Sequence, residues 1–181
     1  SSARPDGAGM RSKKTVVQPT VFGSHAHNHQ RCIAEALDKA AELCRERGAR
    51  LTELRRRVLE LVWRSHEPIG AYAILEELQR SRAGAAPPTV YRALDFLLGQ
   101  GLIHRIESLN AFVGCPTPDR RHSGQFLICS DCGRVAEIDD SKVGSAIARS
   151  AASQGFTVDR LTVELRGRCP ACKEAAAAHA R

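Results

Sequence analysis

The chain has 181 residues, 43% of them apolar but only 4% aromatic, with a formal net charge of +7 at pH 7. That length suits one domain or two small ones built on aliphatic packing, and no apolar run is long enough to cross a bilayer. The charge permits a polyanionic partner without proving one. It divides as about +3 in residues 1–30, about +3 in 31–106 and about +1 in the remainder, so a case for nucleic acid rests on where individual arginines lie.

Residues 1–30 mix Pro, Gly, Ser, Lys and scattered histidines without periodicity and are expected to form a disordered arm. Met10 is the only methionine, so residues 1–9 read as an extension ahead of the native start. His25, His27 and His29 alternate, which suits either a metal-scavenging tract or a solvated tail. From Cys32 to Arg47 the positions Ile33, Leu37, Ala40, Leu43 and Cys44 recur at helical spacing, and Gly48 stops the helix. Cys44 lies on the apolar stripe and reads as core. Thr52 is placed to cap a second helix with Leu54, Val58, Leu61 and Val62 inward, while the consecutive Arg55, Arg56 and Arg57 fan around it. Pro68 and Gly70 break the chain before a third helix, about Ala71 to Arg82, with Ile74, Leu75 and Leu78 inward.

A fourth helix is expected from Pro88, which suits a first turn, to Gly101, which suits an end. Steps of about 100° place Val90, Leu94, Leu97 and Leu98 on one face and Arg92 opposite, with Thr89 near the N-terminal end and Tyr91 on the flank. Strands over Leu102–Glu107 and Ala111–Gly114 follow, joined around Ser108-Leu-Asn110. Helices followed by such a pair describe a winged helix, in which the second helix of the motif reads DNA from its N-terminal half. A generic helical bundle with Arg92 as a solvated charge fits the pattern equally well.

After Cys115, the segment Pro116-Thr-Pro118-Asp-Arg-Arg121 reads as a hinge. Strands over Gln125–Cys129 and Arg134–Ile138 flank a tight knuckle; a helix from about Asp140 to Ser153 closes at Gly155, and a strand is expected over Phe156–Leu165. Cys129 and Cys132 sit at the knuckle, and a second C-x-x-C pair, Cys169 and Cys172, lies in RCPACK. Two such pairs form a zinc signature, since each turn presents two thiolates and two turns complete a tetrahedron. Two disulfides or a redox pair are the alternatives. With no export signal in the sequence, a cytoplasmic chain with structural zinc is the expectation. His104, Cys115, His122 and Glu137 remain as potential ligands, but spacing does not group them.

The segments Arg50-Leu-Thr52, Pro88-Thr-Val-Tyr-Arg-Ala-Leu94, His104 and Phe126-Leu-Ile-Cys-Ser-Asp-Cys-Gly-Arg-Val135 resemble the ferric uptake regulator family and, within it, the zinc uptake regulator branch. The resemblance covers about Ala34 to Cys172. It implies a homodimeric repressor that binds double-stranded operator DNA, with no catalytic activity and no membrane partner. The implied fold class is α+β: a winged-helix domain over residues 31–110, a hinge over 111–123 and a zinc-bound α/β dimerisation domain over 124–174, with a tail over 175–181. It also implies that His104, Cys115, His122 and Glu137 form a regulatory site, giving two zinc ions per chain, and that Tyr72 and Tyr91 approach DNA beside Arg92.

Iron-sensing relatives carry a run of closely spaced histidines before the ICxxC knuckle. Here that segment, Arg121-His-Ser-Gly-Gln125, keeps only His122, while a cysteine stands at 115. Fewer N/O ligands and an added thiolate favour four-coordinate zinc over ferrous iron or manganese, and a peroxide sensor lacks its histidine cluster. A zinc joining all four residues would fix the angle between the two halves and so the spacing of two reading helices in a dimer. Two other classes fit parts of the pattern: a catalytic zinc with Glu137 as base, and a zinc-ribbon interaction module. The H-x-E element of the zinc deaminases is absent ahead of CPAC.

Overall fold

Local signals set the first half. The computed structural model describes residues 22, 29–64, 67–81, 86–120, 122 and 124–179; the expected arm, with His25 and His27, lies outside them apart from Phe22 and the helical positions 29 and 30. Helix α1 (His29–Glu46) therefore begins earlier than its apolar stripe suggested. Helix α2 (Glu53–Trp63) starts where the Thr52 side chain accepts a hydrogen bond from the Arg55 amide. Its buried face is Val58, Leu59, Leu61 and Val62, with Leu54 only half-buried. Helix α3 (Ala71–Arg80) stops two residues short of Arg82, where the Ser81 hydroxyl donates to the Leu78 carbonyl. Helix α4 (Pro87–Gly99) carries prolines at its first two positions, where the missing N–H groups cost no helical bond. Ala93 joins Val90, Leu94 and Leu97 in its buried face, and Leu98 is half-buried.

A two-residue strand, β1 (Ile69–Gly70), precedes α3 and was not expected. It pairs with β3 (Ala111–Gly114), which pairs antiparallel with β2 (Ile103–Ile106). Strand β2 is shorter than the expected Leu102–Glu107 because Glu107–Leu109 coil into a single 3-10 turn, ended by Asn110 at φ 46°. Left-handed backbone of that kind suits Asn better than most residues. The four helices and this sheet enclose one aliphatic core that includes Ala40, Val58, Ile74, Leu78, Val90 and Leu97.

The second sheet has the order β5–β4–β6. Strands β4 (Gly124–Cys129) and β5 (Val135–Ile138) are antiparallel around the knuckle, where Gly133 takes φ +72°. Helix α5 (Ser141–Ser153), capped by the Asp140 side chain on the Lys142 amide, returns the chain to β6 (Thr162–Gly167), which runs parallel to β4. The expected strand over Phe156–Leu165 is corrected to Thr162–Gly167. Register gives the reason: β4 offers partners only from Gly124, opposite Thr162, to Cys129, opposite Gly167. Helix α6 (Pro170–His179) runs through the segment expected to be a tail, its alanine run favouring helix. A small second cluster, Ile106, Phe126 and Ile128 with Val113 and Val135 against it, joins the two sheets.

Gly114, at the end of β3, lies under Trp63, and a Cβ there would overlap the indole. Gly114→Ala is expected to destabilise the chain by about 1–3 kcal/mol through overpacking. Because Trp63 is the only tryptophan, urea unfolding followed by its fluorescence reads both the lowered midpoint and the altered indole environment.

Candidate metal centres

The β4–β5 knuckle and the start of α6 bring Cys129, Cys132, Cys169 and Cys172 together, with all four sulfurs within 4.8 Å of one another. All seven cysteines are free thiols in this structure. Cys132 Sγ and Cys169 Sγ are 3.9 Å apart. The edge of a tetrahedron with zinc–sulfur bonds of about 2.3 Å is roughly 3.8 Å, so the sulfurs stand where a zinc ion requires them. The Cys169 amide donates to Cys129 Sγ at 3.3 Å and pulls that thiol down to about 6. Hydrogen bonding with Cys169, then burial, pushes Cys172 up to about 12. Four thiolates need a cation to coexist; one pre-formed thiolate is a natural point of first attachment.

His104, Cys115, His122 and Glu137 come from β2, the residue just after β3, the following loop and β5, yet their donor atoms also lie within 4.8 Å of one another. Spacing could not group them; the packing of the two sheets does. Nε2 of His104 and of His122 stand 3.2 Å apart. Glu137 Oε1 is 3.0 Å from the first and 2.7 Å from the second, and Cys115 Sγ is 3.6 Å from His122 Nε2. A tetrahedral ion with bonds of about 2.3 Å to sulfur and 2.05 Å to nitrogen would set that last separation at roughly 3.6 Å. The His122 Nδ1 sits 2.9 Å from the Arg120 carbonyl. That contact fixes Nδ1 as the N–H donor and turns the Nε2 lone pair into the cluster.

The Glu137 side chain is only 8% exposed, and both its oxygens are buried without a hydrogen-bond donor among the described residues. The imidazoles are near Oε1 in distance but are not aligned as hydrogen bonds to it. A buried carboxylate facing two nitrogen lone pairs and a thiol is costly unless a cation occupies their common centre. Burial, reinforced by the Glu137 charge, pushes the Cys115 thiol up to about 12. The donor set of one sulfur, two imidazoles and one carboxylate fits a four-coordinate borderline-soft ion.

Four contacts that sequence patterns do not announce brace this second cluster. Arg47, at the end of α1, donates to the Gln100 carbonyl after α4 at 2.6 Å and to the Pro118 carbonyl at 3.0 Å. Lys39 pairs with Asp119 at 3.1 Å, and the Cys115 amide donates to the Leu102 carbonyl. Helix α1 thus holds the loop between Cys115 and His122. Carbonyl acceptors leave no mark in a sequence, so Arg47 had no signal.

On α4, Thr89, Tyr91 and Arg92 are exposed opposite Val90, Ala93 and Leu94, and Tyr72 at the start of α3 is 77% exposed. Of the three consecutive arginines, Arg55 stacks over the Phe96 ring at 3.6 Å and Arg57 pairs with Glu60, while Arg56 is exposed. They fan out as expected.

Two sheets joined by one mixed-ligand cluster, with a four-cysteine cluster beyond it, make a mixed helix-and-sheet fold with two candidate metal sites. The sequence model of the ferric uptake regulator family matches residues 46–166, and the chain belongs to that family. Within it, the chain is similar to the zinc uptake regulation protein of Escherichia coli (strain K12), at 40% identity over 141 residues that cover 77% of this chain and 82% of the relative. Among solved structures it is similar to a zinc uptake regulator complexed with zinc and DNA, at 40% identity and a TM-score of 0.76, covering 80% of this chain and 97% of the other. It is also similar to holo XcZur, at 40% identity and a TM-score of 0.72 over 77% of this chain and 98% of that one.

An ion entering the second cluster must displace the Cys115 proton at neutral pH. Its affinity is therefore expected to rise about tenfold per pH unit over the range in which both imidazoles are neutral. Calorimetric titration in buffers of different ionisation enthalpy should count about one proton released there, and none from that position in Cys115→Ser.

Proposed function

We propose that the chain is a zinc-responsive repressor that binds double-stranded operator DNA as a zinc-loaded homodimer and controls zinc uptake genes in the cytoplasm. The observation that carries this is the buried, donorless Glu137 carboxylate gathered with His104, Cys115 and His122 across the boundary between the two sheets. A zinc ion bound there ties β2 to β5, and so one half of the chain to the other. A second zinc, held by Cys129, Cys132, Cys169 and Cys172, fastens the knuckle to α6 and keeps the second sheet folded.

On this proposal residues 31–110 form a winged-helix domain, with β2 and β3 as the wing and α4 as the reading helix; 111–123 form the hinge, and 124–174 a dimerisation domain. Arg92 contacts a base edge, and Thr89, Tyr91 and Tyr72 lie against the duplex. The homodimer is supported by surface left open in the second half. Helix α5 buries no residue, Phe156 is 65% exposed, and Leu165 on the outer strand β6 is 49% exposed. An open strand edge beside apolar side chains is a surface that another chain would cover. Zinc then acts by selecting the arrangement in which two reading helices match half-sites one helical turn apart, about 34–36 Å.

The rival effectors, iron, manganese and peroxide chemistry through them, call for more oxygen and nitrogen donors than this cluster offers. A catalytic zinc needs an open position for water. All four tetrahedral positions here are supplied by side chains, and Glu137 is one of the donors rather than a free base. No helix among the described residues is long and apolar enough to cross a membrane.

The deciding experiment is gel retardation of duplex operator DNA with the pure protein, zinc-loaded and after chelation. Retardation is expected only with zinc, and equal retardation in both states would reject the proposal. Cys115→Ser and His122→Ala should give folded, dimeric, one-zinc proteins whose DNA affinity no longer responds to zinc, as read by elemental analysis and titration. Cys129→Ser should instead lose helicity and solubility, because structural zinc contributes about 10–16 kcal/mol in finger peptides. Arg92→Ala should weaken specific binding by about 1–3 kcal/mol while thermal unfolding stays put.

A further inference from the structure

The register of the second sheet places three side chains in one transverse row. Glu137 on β5 lies opposite Phe126 on β4, and Phe126 lies opposite Glu164 on β6. Paired residues share a face, so this row presents a carboxylate, a phenyl ring and a second carboxylate to the first sheet. Glu137 meets His104 near the start of β2, and Phe126 packs its ring edge-on to His104 at 5.3 Å and clusters with Ile106. Glu164 takes the end of that strand. Its Oε1 accepts from the Glu107 amide at 2.7 Å and its Oε2 from the Ser108 amide at 3.2 Å. Arg166, two residues along β6, donates to the Ser108 hydroxyl at 3.4 Å.

Glu107 and Ser108 open the 3-10 turn after β2, whose leading N–H groups have no partner within the turn. A carboxylate spanning two of them satisfies both with charge-assisted bonds. Burial alone would raise the Glu164 carboxyl, but the Ser108 hydroxyl and the two amides outweigh it and hold the group below its ordinary value. The seam is otherwise discontinuous. A cavity of about 220 Å³, lined by His104, Arg105, His122, Phe126 and Thr162 among others, opens between β2 and the second sheet. Beside the apolar cluster of Ile106, Phe126 and Ile128, the polar ties between the halves therefore fall at discrete points, at the start of β2 and just past its end.

We propose that Glu164 is a positioning residue, a latch that closes on the 107–108 turn in the same arrangement that assembles the hinge cluster, so that latch and metal reinforce each other. This rests on the functional reading above, in which the hinge cluster holds zinc. Metal at one end of β2 and the latch at the other make two fixed points, and two points define the orientation of a strand where one leaves it free to pivot. Removing the latch leaves every zinc ligand in place but makes the open arrangement easier to reach, which lowers the apparent zinc affinity of the hinge cluster.

The test uses the full chain as wild type, Glu164→Ala and Glu164→Gln, titrated with zinc against a fluorescent chelator and without DNA. Glu164→Ala should bind its second zinc roughly 5- to 20-fold more weakly, within the usual range of coupling between sites. Glu164→Gln, which keeps one acceptor oxygen, should fall between. The first zinc should remain tight in all three. Hydrogen exchange at the Glu107 and Ser108 amides should slow when wild type takes its second zinc and stay fast in Glu164→Ala, a response that a merely structural role would not produce. Second-site affinity within roughly twofold of wild type in both variants overturns the latch. A wild type that binds only one zinc overturns the functional reading instead, and the latch with it.

Discussion

The arrangement of the chain depends on where one carboxylate is buried. Glu137 lies on the central part of β5, its oxygens shielded from solvent and without a proton donor aimed at them. Two imidazole nitrogens and a thiol converge on the same point. Each of these groups alone would do better in water, and together they repel unless a cation sits among them. Because His104 belongs to the first sheet and Glu137 to the second, the same electrostatic need acts between the two halves of the chain. On the proposed function, that is how a metal concentration becomes a geometry.

The two clusters differ in kind. The four cysteines come from two turns of one sheet-and-helix unit, and the ion they would hold is part of that unit's fold. The mixed cluster gathers donors from four segments, and its loop is tethered to α1 by Arg47 and by the Lys39–Asp119 pair. Taking an ion away from the first would unfold local structure; taking one from the second would release a constraint between structures that are each complete. A sensor needs that second kind of site, in which binding selects among folded arrangements.

What could be read from the sequence follows the range over which each signal acts. Thr52 as a cap, Pro88 in a first turn and the Val90, Leu94, Leu97 stripe are set by neighbours a few residues away, and the structure has them so. The four-cysteine set was legible because each half is a fixed C-x-x-C spacing. The strand over residues 156–161 misled because alternation marks a pleated segment only where a partner exists, and β4 is too short to provide one. Strand β1 was invisible, since Ile69 and Gly70 are strand only through pairing with Phe112 and Ala111. The mixed cluster was grouped by family resemblance, not by spacing. Nothing in the sequence singles out Glu164, because the amides it caps lie 56 and 57 residues away.

The proposed switch is a linkage between metal at the hinge cluster and DNA, and linkage is reciprocal. The most direct measurement is the zinc affinity of that cluster, determined by chelator competition with and without saturating operator duplex. Duplex DNA is expected to raise the zinc affinity by the same factor by which zinc raises the DNA affinity, at least about 5-fold. Zinc affinity unchanged by operator, in a protein whose DNA binding still requires zinc, would contradict it and place the switch at some other metal.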